Sequence, residues 1–427
     1  MMEERDHNVD RRRSQGRERR IWPELLFSVV LIALCIGAVY WVLQGAFQLE
    51  PSHEETLQDD PVTVIDPPQS SADTAETSDM DTPWYLALVN RWNPLPEDYE
   101  VDLVEVPGGE KVLPANTCPL IKASVGARLD RTCPFFRIAD MYVGETTCDG
   151  KKKAWEILGE DVPTYVMQLP QMKREKDIQD WAYEIRLFME KVEEVTGNKV
   201  TPEKLGAAIK LINDKRRALA RLYETRKNKN LPISGKDALV ISQIAFYDDP
   251  TRFTQMTNKL CDELDERIKN GVSVFPQGQK RILLTGTPLA VPNWKLHHII
   301  ETSGGAVVAE EMCTGTRYFE NLVEEGLPTL DEQFMALSKR YMKNNCACFT
   351  PNPGRVEDIL RLAKEYHVDG VIDVNLKFCC LYDTEGYSVE RALREAGIPV
   401  LGIETDYDDG DSEQLRTRIG AFVEMLG

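Results

Sequence analysis

The stretch "IADMYVGETTCDGKKKAWEILGEDVPTYVMQLP", residues 138–170, decides the fold class of this chain. Two short apolar runs at 138–144 and 164–170 are typical of buried strands, and good helix-forming sequence at 151–158 separates them. This order predicts a β-α-β unit in which Cys148 lies on the turn from strand to helix. Because the free N–H groups at a helix start favour anions, we expect Cys148 to lie at a binding site for an anionic group, such as a thiolate or a sulfide-bearing cluster.

The same alternation returns in the last third of the chain. Runs typical of strands lie at 281–286, 306–311, 370–376 and 398–404, with helical patterns at 293–305, 356–368 and 388–397 between them. Strands this apolar, joined by crossover helices, predict a parallel sheet covered on both faces. Between the two α/β units, helices are predicted at 178–192, 201–227, 234–247 and 251–269. The predicted fold is therefore α/β, with two doubly wound Rossmann-like domains and a helical segment between them.

The N-terminal part of the chain predicts attachment to a membrane. Residues 1–20 hold seven arginines and five acids, and the following segment 25–49 runs for 25 residues without a charge. At about 1.5 Å per residue this run exceeds a hydrocarbon thickness of roughly 30 Å. We predict a single transmembrane helix at 21–49 in contact with the lipid bilayer. The segment 50–82, with ten carboxylates and no Lys or Arg up to Asp81, predicts a disordered acidic linker.

These patterns divide the chain into six predicted regions. They are a basic cytoplasmic tail at 1–20, the membrane helix at 21–49, the acidic linker at 50–82, a first α/β domain at 83–170, a helical segment completing it at 171–280, and a second α/β domain at 281–427. The charges flanking the apolar run predict an N-terminus inside the cell and a folded domain outside.

The charge balance and two missing motifs exclude several classes of function. Lys and Arg number 51 against 70 acids, a net charge of −19, which excludes a nucleic-acid partner because no domain-wide basic surface is available. The chain has no G-x-x-x-x-G-K-[ST] loop and no G-x-G-x-x-G fingerprint. Binding of ATP or NAD by this chain is therefore not predicted.

Ten cysteines occur, and none forms a CxxC pair. Cys35 in the apolar run and Cys261 on a predicted helix are interpreted as structural thiols. The other eight are Cys118, Cys133, Cys148, Cys313, Cys346, Cys348, Cys379 and Cys380. Since Cys148, Cys313 and Cys379 follow predicted strands, we expect thiols from both domains to converge on the crevice at the carboxyl ends of the sheets.

An iron–sulfur cluster fits this spread better than zinc, whose four ligands usually come in closely spaced pairs. Disulfides within the Cys346–Cys348 and Cys379–Cys380 pairs stay open as an alternative if the domain is exported.

Several other side chains near these cysteines are candidate site residues. Glu145 precedes Cys148, and Glu310 and Glu311 precede Cys313. These acids are candidate proton donors, with Glu145 and Glu310 preferred, although no pairing follows from the sequence. Asp149, Gly150, Lys151 and Gly315 are candidate cofactor-binding residues, of which Lys151 adds positive charge near an anionic group. His297 and His298 are interpreted as supporting or surface residues.

Three motifs in this order resemble a known family. They are "GETTCDGKKK" at 144–153, "RILLTGTPLAVPNWKLHHIIETSGGAVVAEEMCTGTR" at 281–317 and "GIETDYDDGDSEQLRTRIGAFVEML" at 402–426. The resemblance is to the 2-hydroxyacyl-CoA dehydratase D-component family, which includes the benzoyl-CoA reductase and double-cubane cluster branches, and it covers about 84–427. It implies α/β domains, an oxygen-sensitive iron–sulfur cluster in the interdomain cleft, a homodimer, and a separate ATP-hydrolysing activator protein.

The resemblance also implies a set of ligands. Dehydratase subunits of this family use three cysteines for one 4Fe-4S cluster, and the matching positions here are Cys118 or Cys133, Cys148, and Cys379 or Cys380. The surplus cysteines make the chain more similar to the double-cubane branch, in which six cysteines hold an 8Fe-9S cluster. The preferred six are Cys118, Cys133, Cys148, Cys313, Cys346 and Cys379, with Cys348 and Cys380 as substitutes.

The predicted function is thus a membrane-anchored iron–sulfur reductase that receives low-potential electrons from an ATP-dependent partner. One alternative is a 2-hydroxyacyl-CoA dehydratase subunit with one 4Fe-4S cluster, and another is an exported binding protein with disulfides. Electron delivery by a cytosolic activator requires a cytoplasmic folded domain, whereas the charge flanks predict the opposite side. The substrate is not predicted, because fold and cluster type do not determine a reaction.

Overall fold

A computed structural model of the chain describes residues 107–290 and 293–427. The predicted basic tail, membrane helix and acidic linker lie outside the described residues. Within the described part, no helix combines the length and the apolar character needed to cross a membrane.

The described residues form fourteen helices and six strands in an α/β arrangement. The strands are β1 (Tyr142–Glu145), β2 (Thr164–Met167), β3 (Lys280–Gly286), β4 (Gly305–Glu311), β5 (Gly370–Leu376) and β6 (Val400–Thr405). The helices are α1 (Pro107–Val112), α2 (Pro119–Leu129), α3 (Pro134–Ile138), α4 (Asp149–Leu158), α5 (Glu175–Thr196), α6 (Pro202–Thr225), α7 (Gly235–Ile244), α8 (Pro250–Lys269), α9 (Lys295–Thr302), α10 (Thr316–Phe319), α11 (Leu330–Tyr341), α12 (Pro353–Glu365), α13 (Cys380–Glu395) and α14 (Ser412–Met425).

The first α/β unit contains the β-α-β order expected from the sequence. Strands β1 and β2 pair in parallel, with Tyr142 opposite Thr164, and α4 connects them. Trp155 of α4 packs so tightly over Gly144 that a Cβ there would lie 2.0 Å from the indole ring. Glycine at this position therefore lets the crossover helix lie directly on the strand. Among the described residues this sheet has two strands, fewer than the predicted doubly wound domain requires.

The second sheet has four parallel strands in the order β4-β3-β5-β6. The chain passes from β3 to β4 on one side of it. It then crosses from β4 to β5, which pairs with the other side of β3. This reversal is the topological switch point, and in open parallel sheets ligands bind at the carboxyl ends of the strands beside it. The prediction of a parallel α/β sheet in this part of the chain is confirmed.

Helix α13 begins earlier than the sequence pattern indicates. It starts at Cys380, whereas the apolar spacing predicted a start at 388. Gly386 lies in the added turns, and a Cβ there would be 3.1 Å from the Asp373 carboxylate of β5. The small residue lets α13 pack closely on the sheet, so a glycine that reads locally as a break is accommodated by a tertiary contact.

Packing does not follow the predicted boundary at residue 280. Helices α7 and α8 bury their apolar side chains in the core of the four-stranded sheet, although they precede that boundary. Helix α11 comes after the boundary and packs into the other core, with β1, β2 and α5. Helix α6 contributes to both cores. Leu205 lies in the core with β1 and β2, and Leu222 lies in the core of the four-stranded sheet. The two units are therefore joined through the exchanged helices.

Lys215 of α6 provides a pH test of this helical packing. Its side chain is 1% exposed and its Nζ donates to the Ala245 carbonyl at 2.8 Å. Burial lowers the pKa of Lys215 to about 7, against roughly 10.4 in an unfolded chain. Between these values the unfolded state binds one more proton, so stability rises with pH by up to ~1.4 kcal/mol per unit.

We expect Lys215→Met to remove this contribution, so that the free energy of unfolding from urea titrations becomes flatter between about pH 7 and pH 10. Lys210→Met on the same helix is the control, because Lys210 is solvent-exposed and pairs with Asp214 at 2.7 Å. Equal slopes for Lys215→Met and the wild type would show that the buried amine does not titrate in this range.

Candidate functional site

Four of the predicted cysteines are N-cap residues of helices, and three of them lie close together. Cys118 is the N-cap residue of α2, Cys148 that of α4, and Cys379 that of α13. Cys148 and Cys379 follow β1 and β5, as the sequence predicted. The unpaired N–H groups in the first turn of each helix favour a negatively charged group beside them. Backbone groups of these first turns contact all three sulfurs, yet the pKa is lowered only at Cys118, because burial raises that of Cys148 and the contact with Cys118 raises that of Cys379.

The three thiols lie close to one another, and we call them the first cysteine set. The thiol of Cys118 is in hydrogen-bond contact with that of Cys379, and this contact lowers the pKa of Cys118 and raises the pKa of Cys379. Burial raises the pKa of Cys148, while Lys151 opposes that effect. The charges of Cys118 and Cys379 also interact with that of Cys148, so three distant segments of sequence converge on one place.

A second cysteine set consists of Cys313, Cys346 and Cys348. The contact with Cys348 is the largest cause of a strongly lowered pKa at Cys346, and Cys348 is itself buried. The sulfur of Cys346 lies 3.4 Å from the Tyr382 hydroxyl, and that of Cys313 lies 4.0 Å from Arg317 Nη1. The contact with Cys118 is the largest cause of the raised pKa of Cys379, and the charge of Cys346 raises it further. This interaction indicates that the two sets are near each other.

A buried arginine supports the second set. Arg317 Nη2 donates to a Glu311 oxygen at 2.6 Å, and its Nη1 donates to the Tyr382 hydroxyl at 2.5 Å. Arg317 is 6% exposed and Glu311 1% exposed. The contact with Cys348 lowers the pKa of Cys346 most, burial raises it, and the guanidinium charge of Arg317 lowers it further. Sequence analysis missed Arg317 and Tyr382, because their contacts join residues that no local pattern connects.

Glu145 of β1 lies beside both cysteine sets. Its side chain is 2% exposed, and one carboxylate oxygen accepts from Lys151 and, at 3.2 Å, from Thr147. The other oxygen is buried and has no hydrogen-bond partner among the described residues. Burial raises the pKa of Glu145, Lys151 opposes this, and the charge of Cys346 adds to it. Glu145 is thus a carboxyl group with raised proton affinity and one available oxygen.

Glu310 occupies a different environment. Its carboxylate accepts from Arg226 at 2.9 Å, from Tyr223 at 2.6 Å and bonds to His297 at 2.9 Å. Although burial raises its pKa, the Arg226 guanidinium and His297 lower it well below the usual value. A carboxylate held this way is a poor proton donor at neutral pH. The geometry therefore does not support the predicted proton-donor role of Glu310 and gives it a structural one.

Other predicted site residues lie away from the thiols or serve packing. Asp149 is exposed and pairs with Lys152 at 2.9 Å. A Cβ on Gly150 would lie 2.8 Å from Ile121, and one on Gly315 would lie 2.2 Å from the Glu310 carbonyl oxygen. Gly315 is therefore required by a close backbone contact, whereas at Gly150 the neighbouring atom is the end of a flexible side chain that can move.

Cys133 and Cys380 join neither set in the structure. Cys133 packs against the small core around Phe136 and Tyr142, at the start of α3. With five residues, α3 offers little of the dipole that stabilises a thiolate. Cys380 is exposed. Cys261 is fully buried, and burial raises its pKa to about 12, which confirms its structural interpretation.

The donor set fits an iron–sulfur cluster better than a disulfide or a single ion. None of the nine described cysteines forms a disulfide, so the predicted disulfide alternative is not supported in this part of the chain. Within residues 107–290 and 293–427, no group of three or more His, Cys, Asp or Glu side chains is arranged to hold one metal ion. The thiolates of a cubane bind separate irons and so stand farther apart than the ligands of one ion.

Comparison with known proteins gives a consistent result. The family model for the 2-hydroxyglutaryl-CoA dehydratase D-component matches residues 100–426. The chain is 39% identical over 324 residues to the putative dehydratase subunit YjiM of Escherichia coli K12, covering 74% of this chain and 82% of that protein. It is 27% identical to the (R)-phenyllactyl-CoA dehydratase beta subunit of Clostridium sporogenes, covering 62% and 68%. It is 20% identical to a benzoyl-CoA reductase subunit of Thauera aromatica, covering 76% and 83%.

Proposed function

This chain belongs to the 2-hydroxyglutaryl-CoA dehydratase D-component family, whose members are enzymes of the dehydratase and reductase type, and we propose from this premise that it is an iron–sulfur enzyme of the double-cubane kind. The observation that carries the proposal is the convergence of six thiols in two adjacent sets of three. The first set joins three segments that are far apart in sequence, and the second joins Cys313 to the neighbouring pair Cys346 and Cys348. The number of thiols exceeds what one 4Fe-4S cluster requires.

We assign the ligands by set. The first set, Cys118, Cys148 and Cys379, would hold one half of the cluster, and the second, Cys313, Cys346 and Cys348, would hold the other. Such a cluster, when bound, would supply electrons at low potential and Lewis acidity. This assignment departs from the sequence-based preference at one position, because Cys348 takes the place of Cys133.

The exchange of Cys348 for Cys133 leads to a direct prediction. We expect Cys133→Ser, in full-length protein purified without oxygen, to keep the wild-type content of iron and acid-labile sulfide. Cys348→Ser should lose a substantial share of both, because its thiol is buried against Cys346. Metal analysis beside protein quantification measures both variants. Loss of iron in Cys133→Ser with retention in Cys348→Ser would return Cys133 to the ligand set.

The protein's own charges suit an anionic group. Arg317 brings a positive charge to Cys313 and Cys346, and it is held in place by Glu311 and Tyr382. Lys151 brings another toward Cys148 while bound to Glu145. Buried charges of this sign favour thiolates over thiols. The two cations therefore prepare both sets for metal binding.

Glu145 is the proposed residue for proton delivery. Its pKa is raised by burial, so it holds a proton at a higher pH than an exposed glutamate does. Its second oxygen is buried beside the thiols and has no partner in the described part of the chain. Lys151 positions the carboxyl group by binding the first oxygen. Glu145 thus supplies a proton where a substrate oxygen leaves as water.

The proposal includes a second protein. All three relatives named above carry the word subunit in their names, which describes proteins that act with others. The chain has no phosphate-binding loop, so an ATP-dependent activator would deliver the low-potential electron. We further propose a homodimer and attachment to the membrane through 25–49, the latter supported by that segment's 25 residues without a charge.

A dehydratase subunit with one 4Fe-4S cluster is the second candidate. The first cysteine set favours it, because three thiols at helix starts suffice for one cubane. The two candidates differ in the role of the second set, which would hold no cluster in such a dehydratase subunit.

The function is tested by chemistry on a thioester. The full-length protein, reduced anaerobically with titanium(III), is incubated with a panel of (R)-2-hydroxyacyl-CoA, 2-enoyl-CoA and aromatic acyl-CoA thioesters, and products are followed by mass spectrometry. Loss of one water to give the 2-enoyl thioester supports the dehydratase class, and gain of two hydrogens by an enoyl or aromatic thioester supports the reductase class. A protein that holds its cluster but changes none of these thioesters would contradict both and point to a different substrate.

A further inference from the structure

The loop after β6 carries a tyrosine whose hydroxyl group is without a partner. The Tyr407 oxygen is buried and makes no hydrogen bond to any of the residues that the structure describes. Buried hydroxyl groups in proteins are nearly always hydrogen-bonded, because an unpaired one costs free energy. A group of this kind that faces a ligand site is therefore a candidate donor to the ligand.

Strand geometry places Tyr407 beside the first cysteine set. Strands β5 and β6 are parallel neighbours with Leu376 opposite Thr405, and the Lys377 N–H extends their pairing by donating to the Thr405 carbonyl at 2.8 Å. Cys379 lies three positions beyond the end of β5, and Tyr407 two beyond the end of β6. Both residues thus leave the same carboxyl edge of the sheet side by side.

The electrostatic contacts of Tyr407 agree with this placement. Burial raises the pKa of Tyr407 well above its usual value, and negative charge on Cys118 and Cys379 raises it further. The hydroxyl group is therefore a donor rather than a phenolate at neutral pH. Both thiols that act on it belong to the first cysteine set.

The loop that carries Tyr407 is held firmly. Lys295 Nζ donates to the Asp408 carbonyl and to the Asp411 carboxylate, both at 2.6 Å. Lys377, which leads from β5 toward Cys379, also binds Asp406. A loop fixed at both ends presents the hydroxyl group in one position before any ligand binds.

We propose that Tyr407 donates a hydrogen bond to the group held by Cys118, Cys148 and Cys379, and thereby sets the potential at which that group accepts an electron. The inference rests on the proposed function, because it takes the held group to be an iron–sulfur cluster. A hydrogen bond to the sulfur atoms stabilises the more negative, reduced form. Tyr407 thus makes reduction easier than the cysteines alone would.

The test is Tyr407→Phe in full-length protein purified without oxygen, with Tyr387→Phe as the control because Tyr387 is 72% exposed. We expect unchanged iron content, a tenfold lower equilibrium constant for one-electron reduction, equivalent to ~59 mV toward more negative potential, and loss of one exchangeable-proton coupling in electron–nuclear double resonance. A potential and couplings equal to those of the wild type overturn the inference and leave the proposed function standing. A wild-type protein without iron or sulfide overturns both.

A second measurement uses the metal-free protein. Since the hydroxyl group gains no bond within the described protein, Tyr407→Phe should leave the melting temperature of the metal-free full-length chain unchanged or raise it. A fall of several degrees would show that the hydroxyl group supports the fold, and this outcome overturns a role directed at the cluster.

Discussion

Replacing Cys379 by serine is expected to remove about half or more of the bound iron and to abolish turnover of a thioester substrate. Cys379 is the residue on which the two cysteine sets meet, because its thiol contacts Cys118 and its charge interacts with Cys346. Even loss of a group that only supports a metal ligand typically costs 10–100-fold in affinity or activity, so loss of the ligand itself should cost more. Anaerobic metal analysis and the mass-spectrometric assay measure the two effects.

The neighbouring cysteine is a matched control for this variant. Cys380 is exposed and belongs to neither set, so Cys380→Ser should keep its iron and its activity. The opposite pattern, with iron lost from Cys380→Ser and kept in Cys379→Ser, would mean that α13 begins with a different orientation and that the first set is assigned wrongly. Retention of iron and activity in both variants would remove this position from the site.

The second large effect is expected in stability. Arg226 and Glu310 form a buried ion pair at 2.9 Å, with side chains that are 1% and 0% exposed. Breaking a buried pair by removing one partner leaves an uncompensated charge and costs about 3–5 kcal/mol. We therefore expect Arg226→Met to lower the free energy of unfolding in urea by about that amount.

Two further variants give this prediction a control and a rescue. Arg394→Met removes an exposed pair with Glu390 at 2.8 Å and should cost at most about 1 kcal/mol. Arg226→Met combined with Glu310→Gln removes the stranded carboxylate, so part of the loss should be recovered. A change below about 1 kcal/mol in Arg226→Met would contradict the structural role of Glu310 and reopen its role as a proton donor.

Local patterns in the sequence were sufficient for most of the fold. The run at 370–376 is the strand Gly370–Leu376 without change, and Cys148 lies on the predicted turn between β1 and α4. Both follow from short-range properties, namely apolar runs, helix propensity and caps. Exchange of helices between the two cores was not predictable, because an amphipathic stripe shows that a face is buried but not against what.

Opposite outcomes for two adjacent acids show where local patterns stop. Glu310 and Glu311 are neighbours on β4, so their side chains point to opposite faces of the sheet. Glu310 meets Arg226, whereas Glu311 meets Arg317 beside the second cysteine set. The sequence shows the alternation but not which face lies toward the thiols, so both acids were candidate proton donors and local patterns did not separate them.

The supporting residues of the site depend on contacts between distant segments. Tyr382 and Arg317 are 65 positions apart, and their bond has no sequence signal. Tyr407 lies in the motif at 402–426, which marked the family resemblance without indicating what any of its side chains does. The sequence predicted the site at the carboxyl edge of the parallel sheet. The loops that follow β5 and β6 both leave the sheet at this edge.

Iron and acid-labile sulfide per chain, measured on full-length protein purified without oxygen, test the central claim most directly. Two linked cubanes on six cysteines predict about eight iron atoms with a matching amount of sulfide. About four irons would contradict the assignment of the second cysteine set, and protein that holds neither iron nor sulfide after anaerobic reconstitution would contradict the iron–sulfur site as a whole.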